Sequence, residues 1–306
     1  MSHDHTPASF NKSFAIAVIL NLGFTIAQIF YAFVANSMSL MADAMHNFGD
    51  VFGLILAWGA NWLLTLPPKK RYSYGFKKTT VLAALTNALI LVATSALISF
   101  ESIYKLLNPS IIHAKIVIIV ASIGILINGG TALLFMKGAH DDLNIKSAFF
   151  HLLADALISF GVVISAILIY FTQWLWVDSA VGLLIVSVIL WGTWGLLRDS
   201  VRLILDAVPR HIDEASIRRY LQTLPGVHEV HDLHIWGLST KEIALTAHLI
   251  MPKERLSDAD FEKMNTHLKK AFRVDHVTIQ IEAGSKEHPC KHKDACLNSS
   301  FLYKKS

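Results

Sequence analysis

The sequence predicts an all-α membrane domain of six transmembrane helices followed by a small soluble α+β domain. Three observations predict it. Of 306 residues, 53% are hydrophobic and only 16% charged, with a mean hydropathy of +0.47, a balance that a water-soluble domain would struggle to solvate. The first two-thirds repeats apolar stretches of the roughly 20 residues that a helix needs to cross a hydrocarbon core about 30 Å thick. After Pro209 that pattern gives way to short alternating helix-like and strand-like periods.

The apolar stretches lie at about residues 12–34, 38–66, 78–106, 112–136, 147–172 and 175–205. Polar punctuation separates them, as in Pro67-Pro68-Lys69-Lys70-Arg71 and Lys137-Gly138-Ala139-His140-Asp141-Asp142. Met1 to Lys12 lacks the basic n-region and cleavage site of a removable signal peptide, so the first span is expected to stay in the membrane. An even number of spans puts both termini on one side. Lys69, Lys70, Arg71, Lys77 and Lys78 crowd the second connection, and Lys137 and Lys146 flank the fourth, whereas the first and fifth have no Lys or Arg. By the positive-inside rule both termini are expected in the cytoplasm. Lys105 and Lys115 at the third connection weaken that bias without reversing it. The net charge of +4 is mostly these loop lysines, and no nucleic-acid partner is expected.

In the soluble third, Asp213 is placed to cap a helix running to Leu224, stopped by Pro225-Gly226. Strands are expected over 230–238 and 243–251, a helix over 258–272 opened by Ser257, and a last strand over 277–282. Helix, strand, strand, helix, strand is the order of an α+β sheet with helices on one face. From Gly284 onward Lys, His, Ser and Cys dominate, and a loosely ordered tail is expected. Both cysteines, Cys290 and Cys296, lie in this tail. A reducing cytoplasm argues against a disulfide between them, which leaves thiolate metal ligation or an inert tail.

Ionisable groups inside the spans carry the chemistry. A charged residue at mid-helix costs about 2.5–3.5 kcal/mol on insertion scales, so it faces a bundle interior or a water-filled path. The second span holds His46 and Asp50, and the fifth repeats the device with His151 and Asp155. Residues four apart share a helix face, so two facing helices would offer two imidazole nitrogens and two carboxylate oxygens. That set suits tetrahedral Zn²⁺, whereas Ca²⁺ and Mg²⁺ favour more oxygens and Cu⁺ favours sulfur. Co²⁺, Cd²⁺, Fe²⁺ and Mn²⁺ remain open. Four protein ligands leave no open position for a reacting water, which argues for carriage of the ion and against catalysis. Histidine titrates near neutrality, so protons compete with metal for the same lone pairs.

Asn21, Gln28, Asn87 and Asn128 read as interhelical hydrogen-bond partners. Asp43, one turn before His46, reads as an outer-shell or packing residue, and Asp178, between Trp174-Trp176 and the last span, as a helix N-terminus. A membrane metalloenzyme would need an open metal position and a general base, but HExxH and repeated His clusters are absent. A membrane-anchored metal sensor would not need two ligand pairs inside its anchor.

With these residues on view, the chain resembles the cation diffusion facilitators, in particular their zinc-transporting, bacterial-type members. The resemblance covers nearly everything from 12 to 283. It rests on Ser39-Leu40-Met41-Ala42-Asp43-Ala44 before His46 to Asp50, Arg71-Tyr72-Ser73-Tyr74-Gly75, Glu101 leading to Pro109, His151 to Asp155, and Leu205 to Pro209. It implies Zn²⁺/H⁺ antiport out of the cytoplasm by alternating access, a homodimer in a bacterial inner membrane, and no organic cofactor. The implied organisation is a cytoplasmic segment at 1–11, a transport domain at 12–207, a ferredoxin-like dimerisation and metal-binding domain at 208–284, and a His/Cys-containing tail at 285–306. It further implies a cytoplasmic zinc site from His231, His248 and Glu282, joined by Cys290 and Cys296, with a further ligand from His3 or His5. Gln280 and Glu282 stand where some bacterial members have His and Asp, which counts against a binuclear site there. Lys69, Arg71, Phe76 and Lys77 replace the acidic and histidine ligands that some relatives carry in the second connection, so no metal is expected there.

Overall fold

The structure, a computed structural model, describes residues 12–136, 143–253 and 256–284. It divides into two compact units, Met1–Trp58 with Ala84–Leu197, and Gly59–Ala83 with Arg198–Ser306.

Six long helices occur among the described residues: α1 Lys12–Ala35, α2 Met38–Leu64, α3 Thr79–Leu107, α4 Ala114–Met136, α5 Leu143–Thr172 and α6 Trp176–Ile204. Thr79–Leu107, Ala114–Leu133, Phe149–Thr172 and Trp176–Ile204 are long and apolar enough to cross a membrane, and Asn21–Ala35 is a shorter apolar helix. Residues in the left-handed region follow the ends of α1, α5 and α6: Asn36 (φ 57°), Gln173 (φ 60°) and Asp206 (φ 53°). Asn and Asp tolerate that conformation better than most residues.

In the first unit the buried contacts are dominated by small and branched side chains, including Ala32, Ala35, Ala42, Ala121, Ala166, Val117, Val162 and Val186. Such residues let membrane helices approach closely where the hydrophobic effect offers no preference between protein and lipid. Gly49 is one such approach, for a Cβ there would come within 2.2 Å of Leu91 Cδ2 on α3. Large apolar groups such as Leu126 and Phe171 point outward, the reverse of a soluble domain and what a lipid-facing surface requires.

Two buried carboxylates tie this unit together. Asp178, on the first turn of α6, accepts hydrogen bonds from Ser37 Oγ (2.6 Å), Ser39 Oγ (2.5 Å) and the backbone amides of Met38 (2.5 Å) and Ser39 (3.3 Å). It therefore caps α2 from another helix, satisfying amides that a helix start leaves orphaned. Asp43 Oδ2 accepts from Gln28 Nε2 (2.7 Å) and Ser159 Oγ (2.9 Å), while Asn47 Nδ2 donates to Gln28 Oε1 (3.0 Å), joining α1, α2 and α5. The hydrogen-bond role expected for Gln28 is thus filled. Asn87 and Asn128 differ: Asn87 Oδ1 and Asn128 Nδ2 are buried with no partner among the described residues. Asn87 instead packs against Gly53, where a Cβ would come within 2.6 Å of its Nδ2.

The second unit contains α7 Glu214–Gln222, β1 Glu229–Gly237, β2 Ile243–Ile250, α8 Asp258–Phe272 and β3 His276–Glu282. Asp213 caps α7 by accepting from the Ala215 amide, and Ser257 opens α8 in a capping box with Asp260. β1 pairs antiparallel to β2 and β2 pairs parallel to β3, with α8 as the crossover. Ile217 and Leu221 of α7, and Met264 and Leu268 of α8, are buried with Val230, Ile235, Leu245 and Leu249 of the strands in one core. Lys77, in the connection between α2 and α3, bonds Glu242 at the β1–β2 turn, and Lys78 bonds Asp206 Oδ1 at 2.6 Å.

Candidate metal centres

The first centre lies in the first unit and comes from the spacing of two helices. Asp50 follows His46 by one turn on α2, and Asp155 follows His151 by one turn on α5, so each helix presents an imidazole and a carboxylate on one face. His46 Nε2 lies 3.8 Å from Asp50 Oδ2 and 3.3 Å from Asp155 Oδ1. His151 Nε2 lies 3.4 Å from Asp50 Oδ2 and 3.7 Å from Asp155 Oδ2. Each histidine thus faces the carboxylate of the other helix as well as its own. Donor atoms of His46, Asp50 and Asp155 fall within 4.8 Å of one another.

The burial is uneven. Asp155 is buried, His46 and Asp50 are partly buried, and His151 is half exposed at its side chain. Asp50 Oδ2 and Asp155 Oδ1 are buried without a hydrogen bond of normal geometry. Buried carboxylate oxygens of that kind are rare unless an ion or another polar group completes them. His46, Asp50 and Asp155, with His151 beside them, offer the nitrogen and oxygen donors that suit a divalent ion such as Zn²⁺, whose bonds to such atoms run about 2.0–2.2 Å. Behind the centre, the Asp43, Gln28, Asn47 and Ser159 network holds the helices that carry it; Asn47 neighbours His46, and Ser159 lies one turn beyond Asp155.

The second centre lies on the sheet of the second unit. His231 on β1 and His248 on β2 are directly opposed across the strands, and Glu282 on β3 pairs with Ile250, two residues along from His248. Alternation puts all three on one face. Glu282 Oε2 lies 3.4 Å from His231 Nε2, and Oε1 lies 2.9 Å from His248 Nδ1. Donor atoms of these residues fall within 4.8 Å of one another. Gln280 donates to Glu282 Oε1 at 2.9 Å, orienting that carboxylate. Cys290, Cys296, His3 and His5 lie outside the described residues.

Asp232 joins this centre and was missed by the sequence reading. Simple alternation would turn it to the opposite face from His231. The strand instead bulges between His231 and His234, and Asp232 takes φ 50°. Its carboxylate lies 3.5 Å from His248 Nε2 and 3.0 Å from His234 Nε2. The one signal in the sequence is that Asp belongs to the few residues that tolerate a positive φ.

The family model described as the cation efflux transmembrane domain matches residues 14–205, and that of the cation efflux protein, cytoplasmic domain, matches residues 209–284. The metal cation efflux system protein CzcD of Cupriavidus metallidurans is 34% identical over 96% of this chain and 92% of its own length. The zinc transporter ZitB of Escherichia coli is 31% identical over 97% of this chain and 96% of its own. A cadmium, cobalt and zinc/H⁺-K⁺ antiporter of Bacillus subtilis is 28% identical over 94% of each.

Proposed function

Since the chain belongs to the cation efflux family, the cation diffusion facilitators, we propose that it exports Zn²⁺ from the cytoplasm in exchange for protons through the centre of His46, Asp50, His151 and Asp155. The chain is a membrane transporter of divalent metal cations and not an enzyme. The observation that carries the zinc reading is the convergence of two His-x-x-x-Asp pairs, each histidine 3.3–3.4 Å from the carboxylate of the opposite helix. Names of relatives support it, two of the three quoted above specifying zinc and one a proton-linked antiport.

The residues divide the work by chemistry. Asp50 and Asp155 supply two negative charges, which a bound divalent cation neutralises. His46 and His151 provide nitrogens that select a borderline ion over Ca²⁺ and Mg²⁺. Each nitrogen accepts either metal or a proton, so protons arriving from the far side displace the ion. Because the ligands come from α2 and α5 in pairs, a shift of one helix against the other dismantles the centre and opens it to a different face, as alternating access requires.

The full architecture we propose is six spans at 12–207, with Asp43, His46, Asn47 and Asp50 on α2, followed by a ferredoxin-like cytoplasmic domain at 208–284. The order α7-β1-β2-α8-β3 around a β1-β2-β3 sheet supports that domain. Segments 1–11 and 285–306 flank these domains on the cytoplasmic face. The chain works as a homodimer through the cytoplasmic domain, in a bacterial inner membrane. His231, His248 and Glu282, with Asp232 beside them, form a second zinc site that senses cytoplasmic metal; Cys290 or Cys296 and His3 or His5 are its further candidate ligands.

Zinc flux into proteoliposomes under an imposed pH gradient tests the transport reading. Asp155→Ala is expected to abolish flux, and Asp50→Ala likewise. Undiminished flux in Asp155→Ala would remove the centre as the transport site. Running Cd²⁺, Co²⁺, Mn²⁺ and Fe²⁺ beside Zn²⁺ measures the metal range.

A further inference from the structure

We infer that the second unit carries a binding pocket for the phosphate of an anionic phospholipid headgroup, built from Arg202, Arg210 and Lys241. A cavity of about 170 Å³ opens at the end of α6, lined by Asp199, Arg202, Arg210, His211, Ser239 and Lys241 among others. This is several times the ~30 Å³ share of one water molecule, room for a phosphate group and its hydration.

The charge ledger of the cavity is positive. Arg210 is held by Asp199 at 2.8 Å, which neutralises one pair and leaves Arg202 and Lys241 as net +2. Asp199 is the one lining carboxylate. The acids just outside are already paired, Asp206 with Lys78 and Glu242 with Lys77. The negative end of the α6 dipole is answered too, since Lys78 Nζ donates to the Leu203 carbonyl at 2.9 Å. Hydrogen bonds brace the rim. Ser239 Oγ accepts from the amides of Lys241 (3.1 Å) and Glu242 (2.9 Å), and the Leu238 amide bonds back to the Glu242 carbonyl, fixing the turn that presents Lys241. Among the described residues, neither the Arg202 nor the Lys241 side chain forms an ion pair or hydrogen bond.

Depth decides between a lipid and a free anion. The apolar run of α6 ends at Leu196-Leu197, and the first charge after it is Arg198. Arg202 lies four residues further, about 6 Å along the helix at 1.5 Å per residue. The headgroup zone beyond the hydrocarbon is roughly 5–8 Å thick on each side, so Arg202 sits at the level of lipid phosphates. Basic pockets at that level on the cytoplasmic side are suited to anionic headgroups.

Native mass spectrometry of the full-length protein in neutral detergent, titrated with phosphatidylglycerol or phosphatidylcholine of matched chains, tests the pocket. The wild-type chain is expected to retain phosphatidylglycerol preferentially, and Arg202→Gln and Lys241→Gln each to weaken that retention about fivefold. Lys269→Gln on α8 serves as the control with retention unchanged, and inorganic phosphate equimolar to the lipid should not displace it. Equal retention of both lipids overturns the proposal, as does undiminished retention in both pocket variants. Displacement by equimolar phosphate overturns the lipid assignment and makes this a free-anion site. Should Arg202→Gln fail to fold, Lys241→Gln at the exposed turn carries the test alone.

Discussion

Asp178 is the single side chain whose loss should cost the transport domain most without touching metal. Its carboxylate takes up four donors at the start of α2, two of them backbone amides with no other acceptor in the helix. Hydrogen bonds to a charged group are worth about 1.5–3 kcal/mol each and buried donors left bare are penalised further, so Asp178→Ala is expected to cost roughly 3 kcal/mol or more. Asp178→Asn, which still accepts at one oxygen, should recover part of it. Thermal unfolding in detergent measures this, and a wild-type midpoint in Asp178→Ala would refute the capping role. The sequence marked Asp178 as a helix start but could not name its partners, which lie about 140 positions earlier. Asp232 is the converse case. Its expected role is to support the second centre through His248, and Asp232→Asn should weaken zinc binding there about 10- to 100-fold. Zinc titration of full-length protein carrying Asp50→Ala and Asp155→Ala isolates that site, and unchanged affinity would exclude Asp232 from it.

At the scale of elements, periodicity carried most of the information. A His/Asp pair four apart on a helix is legible because the helix fixes its own geometry, so α2 and α5 each announced half of the candidate centre before any packing was known. His231 and His248 were legible singly, but their opposition across β1 and β2 depends on register, which one sequence does not display. The bulge that turns Asp232 was hidden for the same reason. The connection between α2 and α3 also gained a role that its composition alone did not suggest. Its basic residues read as topology signals, yet Lys77 bonds Glu242, with His276 Nε2 also 3.4 Å from the same carboxylate. Burial pushes the Glu242 carboxyl up, but hydrogen bonding and charge from Lys77, then His276, outweigh it and hold it below its usual 4.5. A carboxylate depressed in the folded state contributes stability that is complete above its unfolded value and is lost as pH falls through the folded value. Glu242→Gln should therefore cost about 0.2–1 kcal/mol of stability at pH 7, the range of a partly exposed pair, and lower the melting midpoint modestly. The gap from wild type should close as the pH drops below about 4.5. A gap that stays constant from pH 7 to pH 3.5 would contradict this account.

Across the whole molecule, the asymmetry of charge and the contacts of the second unit make one claim about orientation. The connection between α2 and α3 holds Lys69, Lys70, Arg71, Lys77 and Lys78, whereas that between α5 and α6 holds no Lys or Arg. Lys77 and Lys78 bond Glu242 and Asp206, inside the unit that contains the sheet, so this connection and the C-terminal domain must share one side of any membrane. In the proposed six-span arrangement short basic loops stay in the cytoplasm, which puts the connection after α5 on the opposite side. Two single-cysteine variants in a Cys290→Ser, Cys296→Ser background distinguish the sides. Lys70→Cys should react with a membrane-impermeant maleimide only after the cytoplasmic face is opened, and Gln173→Cys should react in intact cells. Labelling of both positions from the same face would be incompatible with three spans between them, and with it would fall the even span count on which cytoplasmic loading of zinc depends.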